Sequence, residues 1–355
     1  MIKVLVVDDS AVVRKVVSEE LSKYEDIEIV GTAIDPYVAR DKIVRLKPDV
    51  ITLDMEMPRM DGLSFLAKLM RHYPMRVVVL SSLTPKNSKI ALKALELGAI
   101  EVICKSGAAF SAQDLSRPLV RAIRAAASAK IQLDQTAPEA VAEKVNYDNL
   151  LAETTHKIVA IGASTGGTKA IETILKGMPA ACPGAVIVQH MPEAFTTSFA
   201  ERLNNMCEME VHEARDNEYV VPGVALIAPG NYHMVLRRSG ANYIVKIKNG
   251  PPVHYQKPAV DVLFQSVAKS AGGNAVGVLL TGMGVDGAKG LLSMNECGAY
   301  TMAQDEETSI VFGMPKEAIR IGAVDKVFPL QKIPKAIIDA LQNHKKANKY
   351  SFAGN

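Results

Sequence analysis

The sequence predicts an α/β protein with two doubly wound parallel-sheet domains. Its 355 residues exceed one ordinary hydrophobic core, since a domain averages about 150 residues. Apolar β-branched segments alternate with amphipathic segments over residues 1–127 and again over residues 155–345, which is typical of a parallel sheet covered by helices on both faces. Hydrophobic residues make up 48% of the chain, so both domains can bury a core.

Composition argues against several classes of protein. The formal net charge is +3 and no basic stripe is interleaved with aromatic residues, so we expect no nucleic-acid partner. No apolar run reaches the ~18 residues that span a bilayer, and the apolar segment Ile2–Val7 leaves no room for a signal peptide. We therefore expect a cytoplasmic protein with no direct membrane insertion. The cysteines lack Cys-x-x-Cys pairing, which fits a reducing compartment and argues against disulfides and zinc: Cys104, Cys182, Cys207 and Cys297.

The first domain alternates strand-like and helix-like segments. We predict strands at Lys3–Val7, Ile27–Ala33, Val50–Leu53, Val77–Leu80 and Glu101–Cys104. We predict helices at Ser10–Lys23, Pro36–Leu46, Leu63–Arg71, Ser88–Leu97 and Leu115–Ala127. In open α/β sheets, functional groups gather at the carboxyl ends of the strands.

Charged and hydroxyl residues follow these strands. Asp8 and Asp9 follow the first strand, Asp54 the third, Ser81 the fourth and Lys105 the fifth. Three carboxylates at one sheet edge repel one another unless a cation joins them, and hard oxygen ligands suit Mg²⁺. With the metal and Lys105 neutralising charge, Asp54 can accept a phosphoryl group. Taken singly, an aspartate pair is more often a helix N-cap, and a strand-end lysine is more often a solvated charge.

Residues 1–127 resemble a two-component receiver domain. The resemblance rests on Val-Val-Asp-Asp-Ser at 6–10, Leu-Asp-Met-Glu-Met-Pro-Arg-Met-Asp-Gly at 53–62, Ser81 and Lys105. It implies a flavodoxin-like sheet, phosphorylation of Asp54 by a histidine kinase, and a phospho-switch made by Ser81 and Lys105. It also implies that Mg²⁺ is held by Asp8 or Asp9 together with Asp54.

The second domain is predicted to be Rossmann-like, with an antiparallel hairpin at the sheet edge around Ser239-Gly240. We predict strands at Ile158–Ile161, Ala185–Gln189, Met209–Glu213, Val224–Ala228, His233–Arg238, Tyr243–Lys248, Ala275–Leu280, Tyr300–Gln304 and Val324–Phe328. One helix is predicted to follow the first of these strands and to end at about Gly177. Further helices are predicted at Thr196–Asn205, Pro258–Lys269 and Ile333–Gln342. We interpret residues 128–154 as a linker and residues 346–355 as a flexible tail.

A glycine-rich turn carries Ser164 just after an apolar strand. Gly162, Ser164 and Gly166 fit G-x-S-x-G, in which flanking glycines allow the sharp turn that exposes a nucleophilic serine. The same loop approaches the phosphate-binding spacing, but Thr168 stands where the lysine should be, and Lys169 comes one place late. A turn that only packs a helix against a sheet remains an alternative.

His190 and Asp286 also follow apolar strands of the same predicted sheet. A serine hydroxyl needs a base to take its proton and an acid to fix the tautomer of that base. Backbone amides from Thr165 to Gly167, or from the loop at Met283, are expected to form the oxyanion hole. The order Ser, His, Asp differs from the α/β-hydrolase order, so ordinary membership of that fold is not expected.

Each of these residues also has a structural alternative. A lone histidine at a strand end is usually a satisfied structural group, and His233 and His254 are reserve candidates for the base. Asp286 alone could cap the helix that follows its own loop. The three groups are chemically complementary and occupy matching topological places, which favours the catalytic interpretation.

Four motifs together resemble the chemotaxis protein-glutamate methylesterase family. They are Gly-Ala-Ser-Thr-Gly-Gly at 162–167, Val-Gln-His-Met-Pro at 188–192, Ala-Pro-Gly-Asn-Tyr-His at 228–233 and Leu-Thr-Gly-Met-Gly-Val-Asp-Gly-Ala at 280–288. The resemblance implies hydrolysis of glutamate methyl esters on methyl-accepting chemoreceptors, with deamidation of receptor glutamines as a second activity. It assigns Ser164, His190 and Asp286 to catalysis, with Thr165 and Met283 lining the site. No cofactor is expected for the esterase reaction.

The presence of a receiver and an esterase in one chain predicts that the first domain regulates the second. We expect the unphosphorylated receiver to restrict access to Ser164, and phosphorylation of Asp54 to favour an open site. Two rival hypotheses stay open. In one, the second domain binds a nucleotide through residues 162–169, and in the other it docks on receptors without esterase activity.

Overall fold

The computed structural model describes residues 1–82, 85–105, 112–130 and 156–343. The chain divides into two compact units, Met1–Gln135 and Thr136–Asn355. The predicted linker lies outside the described residues from residue 131 onward, and the predicted tail, residues 346–355, lies outside them entirely.

The first unit contains a five-stranded sheet in the order β2-β1-β3-β4-β5. All of its strand pairs are parallel, and this order is the flavodoxin-like arrangement, so the predicted fold class is confirmed. Its elements are β1 (Ile2–Val7), α1 (Ala11–Leu21), β2 (Ile27–Ala33), α2 (Pro36–Leu46), β3 (Val50–Asp54), α3 (Gly62–His72), β4 (Arg76–Ser82), α4 (Pro85–Glu96), β5 (Glu101–Lys105) and α5 (Ala112–Ser128).

The second unit contains a seven-stranded sheet in the order β15-β14-β13-β6-β7-β10-β8, and a separate three-stranded sheet, β11-β12-β9. Its elements are β6 (Ile158–Ala163), α6 (Gly167–Lys176), β7 (Ala185–Gln189), α7 (Glu193–Asn204), β8 (Glu210–Glu213), β9 (Glu218–Val220), β10 (Val224–Ile227), β11 (His233–Ser239), β12 (Asn242–Lys248), α8 (Val260–Ala271), β13 (Ala275–Leu279), α9 (Ala288–Glu296), β14 (Tyr300–Gln304), α10 (Met314–Arg320), β15 (Lys326–Phe328) and α11 (Ile333–Asn343). The large sheet is parallel throughout.

The predicted antiparallel hairpin is present as β11 and β12, with His233 opposite Lys248. It pairs with β9 in its own sheet and does not extend the seven-stranded one. Alternate residues of β11 are buried and pack against α8. The Leu236 N–H donates to the Ser266 hydroxyl at 2.8 Å, which fixes this contact. The hairpin therefore packs against α8 and shares one hydrophobic core with the large sheet.

The centre of the large sheet positions the candidate site. Strand β6 lies between β13 and β7, and all three are fully buried. The register pairs Ala163 with Gln189 and Gly162 with Leu279. The residues that follow these strands therefore meet at one sheet edge.

Two further observations bear on the class of protein. The cysteines are free thiols, and burial raises the pKa of Cys104 and of Cys182 to about 12. Among the residues that the structure describes, no helix is both long and apolar enough to cross a membrane.

Candidate active site

Ser164 lies on a tight turn between β6 and α6 and is 6% exposed. Its N–H donates to the Thr281 carbonyl at 3.0 Å, and its own carbonyl accepts from the Gly167 N–H at 2.7 Å. Gly166, at the N-cap of α6, has a φ of 80°, and a Cβ there would lie 2.7 Å from the Ile310 side chain. Only glycine suits that combination of backbone conformation and close approach. The turn thus fixes the serine at the start of a helix.

His190 and Asp286 form a buried hydrogen-bonded pair. His190 Nε2 lies 2.8 Å from Asp286 Oδ2, and each side chain is 3% exposed. Because the carboxylate only accepts, the imidazole proton sits on Nε2. The His190 N–H donates to the Ala163 carbonyl at 3.1 Å, so the histidine lies beside the residue before Ser164.

The other imidazole nitrogen is the one available to the serine. His190 Nδ1 is buried and has no hydrogen-bond partner among the residues described. A buried acceptor without a partner is costly, and a catalytic base holds one ready for the proton it removes. The structure therefore brings His190 and Asp286 into contact and places Ser164 next to them, without a hydrogen bond between Ser164 and His190. Such bonds often tighten only when substrate binds.

Asp286 also accepts two backbone hydrogen bonds from the first turn of α8. The Val260 N–H donates to Oδ2 at 2.8 Å and the Asp261 N–H donates to Oδ1 at 2.9 Å. The alternative that Asp286 caps the helix after its own loop is wrong, because α9 begins behind Gly287 without a side-chain cap. The positive end of α8 holds the carboxylate instead.

These contacts decide the ionisation of Asp286. Burial by itself would raise its pKa, but the hydrogen bond from His190, with those from the backbone N–H groups of Asp261 and Val260, outweighs burial and lowers the pKa. The carboxylate therefore stays ionised at neutral pH. In that form it can orient His190 and stabilise an imidazolium.

Sequence reasoning missed the residues that support the Ser164 turn. Gln189 Nε2 donates to the Ser164 carbonyl at 2.9 Å and to the His190 carbonyl at 3.1 Å. The Thr281 hydroxyl donates to the Thr165 carbonyl at 3.0 Å. A polar residue ending a fully buried strand was the available signal for Gln189, because such a residue needs partners inside the protein.

The hydrogen bonds of the structure remove one of the N–H groups that were expected to form the oxyanion hole. The Gly167 N–H is engaged by the Ser164 carbonyl, so it cannot also bind an oxyanion. Thr165 is buried, while Met283 is half-buried in the loop that joins β13 to α9. The Gly282 N–H, next to Met283, donates to the Val311 carbonyl at 3.0 Å. For the amides of Thr165, Gly166 and Met283, the oxyanion-hole role stays a prediction.

His233 and His254, the other candidates for the base, bind different partners. His233 Nδ1 accepts from the Ala259 N–H at 3.2 Å, and its Nε2 donates to the Pro251 carbonyl at 3.0 Å. Both ring nitrogens are thus satisfied, which makes His233 a structural group. His254 Nε2 lies 3.0 Å from Asp261 Oδ2, one hydrogen bond away from Asp286.

The nucleotide-loop alternative loses support from the same geometry. A phosphate-binding loop presents free backbone N–H groups to its ligand. Here the N–H groups of Ser164 and Gly167 both donate to carbonyls of the chain. Lys169 is exposed in the first turn of α6.

In the first unit, Lys105 joins two of the predicted aspartates. Its Nζ lies 2.9 Å from Asp8 Oδ2 and 2.9 Å from Asp54 Oδ1. The alternative that the aspartate pair caps α1 is wrong. Ser10 is the N-cap, its hydroxyl accepts from the Val13 N–H, and Asp8 Oδ1 accepts from the Ser10 N–H at 2.9 Å. The lysine is therefore an ion-pair partner and not a solvated charge.

Burial and charge oppose each other around Asp54. Burial raises the pKa of Asp54, and the nearby Lys105 only partly offsets this. Burial tends to lower the pKa of Lys105, but the charges of Asp54 and Asp8 outweigh it, so that pKa is raised. Ser81 is buried at the end of β4, one position beyond the residue that pairs with Asp54.

The carboxylates of this site suit a divalent cation. Carboxylate oxygens of Asp8, Asp9 and Asp54 all lie within 4.8 Å of one another. One ammonium against three carboxylates leaves negative charge uncompensated. Hard oxygen donors at this spacing fit the preference of Mg²⁺.

Together the two units define a response regulator whose second domain is of a hydrolase type. The chain belongs to the CheB methylesterase family: residues 159–337 match the family model described as CheB methylesterase. Residues 4–115 match the model described as response regulator receiver domain.

Relatives similar over nearly their whole length carry one name. A protein of Syntrophus aciditrophicus, named protein-glutamate methylesterase/protein-glutamine glutaminase 2, is 60% identical over 95% of this chain and 98% of that protein. A protein of Bdellovibrio bacteriovorus, named protein-glutamate methylesterase/protein-glutamine glutaminase, is 52% identical over 98% of this chain and 99% of that protein. The crystal structure of the Thermotoga maritima CheB methylesterase catalytic domain is 40% identical and covers 52% of this chain and 98% of that chain, with a TM-score of 0.51.

Proposed function

We propose that this protein is a phosphorylation-regulated serine esterase that hydrolyses glutamate methyl esters on methyl-accepting chemoreceptors and releases methanol. Deamidation of receptor glutamines is its second activity. The observation that carries the proposal is the buried His190–Asp286 pair, in which His190 follows the strand beside the Ser164 turn and its Nδ1 has no hydrogen-bond partner among the residues described. The names of relatives that are 52% and 60% identical support the substrate class.

The mechanism assigns a role to each group of the site. The Ser164 hydroxyl attacks the ester carbonyl while His190 Nδ1 takes its proton, and Asp286 stabilises the imidazolium. The imidazolium then protonates the departing methoxide, which leaves as methanol. Water activated by His190 hydrolyses the glutamyl–serine ester and restores Ser164. With a glutamine, the same proton transfer releases ammonia.

Backbone amides complete the site in this proposal. The N–H groups of Thr165, Gly166 and Met283 are the candidates to hold the oxyanion, and each such donor typically contributes ~3 kcal/mol in the transition state. Thr165 and Met283 line the site. Asp286 is held by α8, so the imidazole is positioned before substrate arrives.

The receiver supplies regulation. Asp8, Asp9 and Asp54 would hold Mg²⁺, which neutralises charge on a transferring phosphoryl group when bound. Asp54 accepts the phosphoryl group from a chemotaxis histidine kinase, and Ser81 and Lys105 respond to it. We place the protein in the cytoplasm, with the receiver at residues 1–127 and the methylesterase domain at residues 155–345.

Methanol release from a methylated chemoreceptor cytoplasmic fragment tests the reaction. Wild-type protein should release methanol, and Ser164→Ala should release none. Ser293→Ala is the matched control, because the Ser293 hydroxyl donates to the Lys289 carbonyl within α9 in an exposed hydrogen bond. No release by wild-type protein phosphorylated with a small phosphodonor and Mg²⁺ would overturn the proposal.

Regulation needs a separate comparison. The phosphodonor with Mg²⁺ should raise the rate of methanol release by wild-type protein and leave that of Asp54→Asn unchanged. Equal wild-type rates with and without the phosphodonor, with phosphorylation verified by mass, would remove the regulatory claim and leave the esterase claim intact.

A further inference from the structure

Residues 253–256 form a two-residue turn at the edge of the candidate active site. The Val253 N–H donates to the Gln256 carbonyl at 3.0 Å, and the Gln256 N–H donates to the Val253 carbonyl at 2.9 Å. Between them, His254 has a φ of 50° and Tyr255 a φ of 61°. Two reciprocal hydrogen bonds around two residues with positive φ are the features of a type I′ turn, which favours Asn-Gly at its centre.

Tyr255 in particular is poorly suited to this backbone. Side chains with a Cβ disfavour positive φ, and for a bulky residue such as Tyr255 the conformation is an outlier. The turn persists because its flanks are held. His254 Nε2 lies 3.0 Å from Asp261 Oδ2, and the Lys257 carbonyl accepts from the Asn231 N–H at 3.1 Å. Strained backbone that is fixed in this way is concentrated at functional sites.

The turn is attached to the residue that positions the candidate base. Asp261, which binds His254, donates its N–H to Asp286 at 2.9 Å. A ring nitrogen of His254 and carboxylate oxygens of Asp261 and Asp286 all lie within 4.8 Å of one another. Because Asp261 and Asp286 are buried, the turn is hydrogen-bonded to fixed groups beside the site.

The turn displays an aromatic ring to solvent. Tyr255 is 86% exposed, and Tyr232, in the loop before β11, is 37% exposed. Lys257 Nζ lies 5.9 Å from the centre of the Tyr232 ring, so a positive charge two residues after Tyr255 lies against a second exposed ring. Exposed tyrosines of this kind are enriched where proteins bind partners.

We propose that the turn is a substrate-recognition element, in which Tyr255, Tyr232 and Lys257 bind the acidic polypeptide segment that carries the esterified glutamate. The inference rests on the proposed function. A polypeptide whose glutamates are esterified and released carries carboxylates near the reacting group, and these complement Lys257. The turn therefore selects a protein-borne ester over a small one.

Kinetics of the full-length protein test this role, with a small phosphodonor and Mg²⁺ in every assay. Tyr255→Ala should raise KM for the methylated receptor fragment about tenfold, which corresponds to ~1.4 kcal/mol, with kcat within about twofold. Labelling of Ser164 by a small fluorophosphonate should proceed at the wild-type rate. Tyr219→Ala, which removes another exposed tyrosine on β9, should leave both readouts unchanged.

A second variant separates recognition from folding. Tyr255→Gly should raise Tm, because glycine adopts positive φ without strain, and should raise KM as much as Tyr255→Ala does. A residue with only a structural role would not weaken substrate binding while stabilising the fold.

Each contrary outcome has its own meaning. Unchanged KM in both variants overturns the recognition role while the esterase reaction stands. A parallel loss of methanol release and of labelling shows that the turn supports the site itself, which also overturns the role. Absence of methanol release by the wild type defeats the proposed function first and the inference with it.

Discussion

The Gln189 side chain ties the backbone of Ser164 to that of His190. Its Nε2 lies 2.9 Å from the Ser164 carbonyl oxygen and 3.1 Å from the His190 carbonyl oxygen. Its Oε1 is buried and has no hydrogen-bond partner in the part of the chain that the structure describes. An amide held with one unsatisfied atom costs stability. What it provides is a fixed spacing between the candidate nucleophile and base.

Removing this bridge should slow the reaction. Gln189→Met keeps the side-chain volume but loses both donated hydrogen bonds, and small misplacements of reacting groups cost up to about 100-fold in rate. We expect kcat to fall about 10- to 100-fold with KM unchanged. The matched control is Gln265→Met on the exposed face of α8. An unchanged kcat would show that Gln189 does not position the pair.

Gly167 leaves the space that Gln189 occupies. A Cβ at Gly167 would lie 2.1 Å from Gln189 Oε1 and 2.6 Å from the Ala163 side chain. Gly167→Ala should therefore lower the free energy of unfolding by about 1 to 3 kcal/mol, as overpacking does. In urea unfolding, the double variant with Gln189→Ala should lose less stability than the sum of the single variants. Additive losses would mean that the two residues do not compete for this space.

Asp286→Asn should inactivate the esterase while leaving the fold assembled. An asparagine cannot accept from His190 and from both α8 N–H groups as the carboxylate does, so the tautomer of His190 is no longer fixed. We expect kcat to fall on the order of 10⁴-fold, the scale known for the equivalent change in a serine protease. Methanol release measures the effect, and a fall of less than about tenfold would contradict the role of Asp286.

The lowered pKa of Asp286 predicts a pH dependence of stability. Its folded-state pKa lies below the ordinary value of 3.8, so the stabilisation is present above the unfolded-state pKa of about 3.9. It is lost as the pH falls through the lowered folded-state pKa. Wild-type protein should lose more stability than Asp286→Asn between pH 5 and pH 2 in urea unfolding. Parallel losses would argue that the carboxylate is not stabilised by its partners.

The acidic site of the receiver makes the opposite prediction. Burial raises the pKa of Asp54, so its ionised form opposes folding at neutral pH. Asp54→Asn should raise Tm in the presence of EDTA, and Mg²⁺ should raise Tm more for the wild type than for the variant. Asp41→Asn, at an exposed position, is the control. Equal Mg²⁺ shifts in wild type and Asp54→Asn would exclude Asp54 as a ligand.

The parallel architecture followed from the sequence because its strands are continuous apolar runs that end in polar residues. Val50–Asp54 and Ala185–Gln189 are buried on both faces. Strands of this kind are recognisable in a sequence as continuous hydrophobic runs. Short strands were harder: Glu218–Val220 has three residues and no apolar run. The separate sheet of the hairpin depends on packing against α8, which no local pattern encodes.

The residues of the candidate site were also predicted only in part. Ser164, His190 and Asp286 could be named because each follows a strand of one sheet. The contact of Asp286 with α8 could not be predicted, since its partners Val260 and Asp261 donate through the backbone. Gln189 was missed for a related reason: its side chain binds carbonyls, and carbonyl positions are set by the fold alone.

Fluorophosphonate labelling of Ser164 tests the central claim most directly. Full-length protein, phosphorylated with a small phosphodonor and Mg²⁺, is treated with the reagent, and the adduct is located by peptide mass spectrometry. A serine activated by His190 should form one adduct on Ser164, and His190→Ala should abolish it. Absence of an adduct on Ser164, or an equal rate in His190→Ala, would contradict the account and favour a binding role for the 162–169 loop.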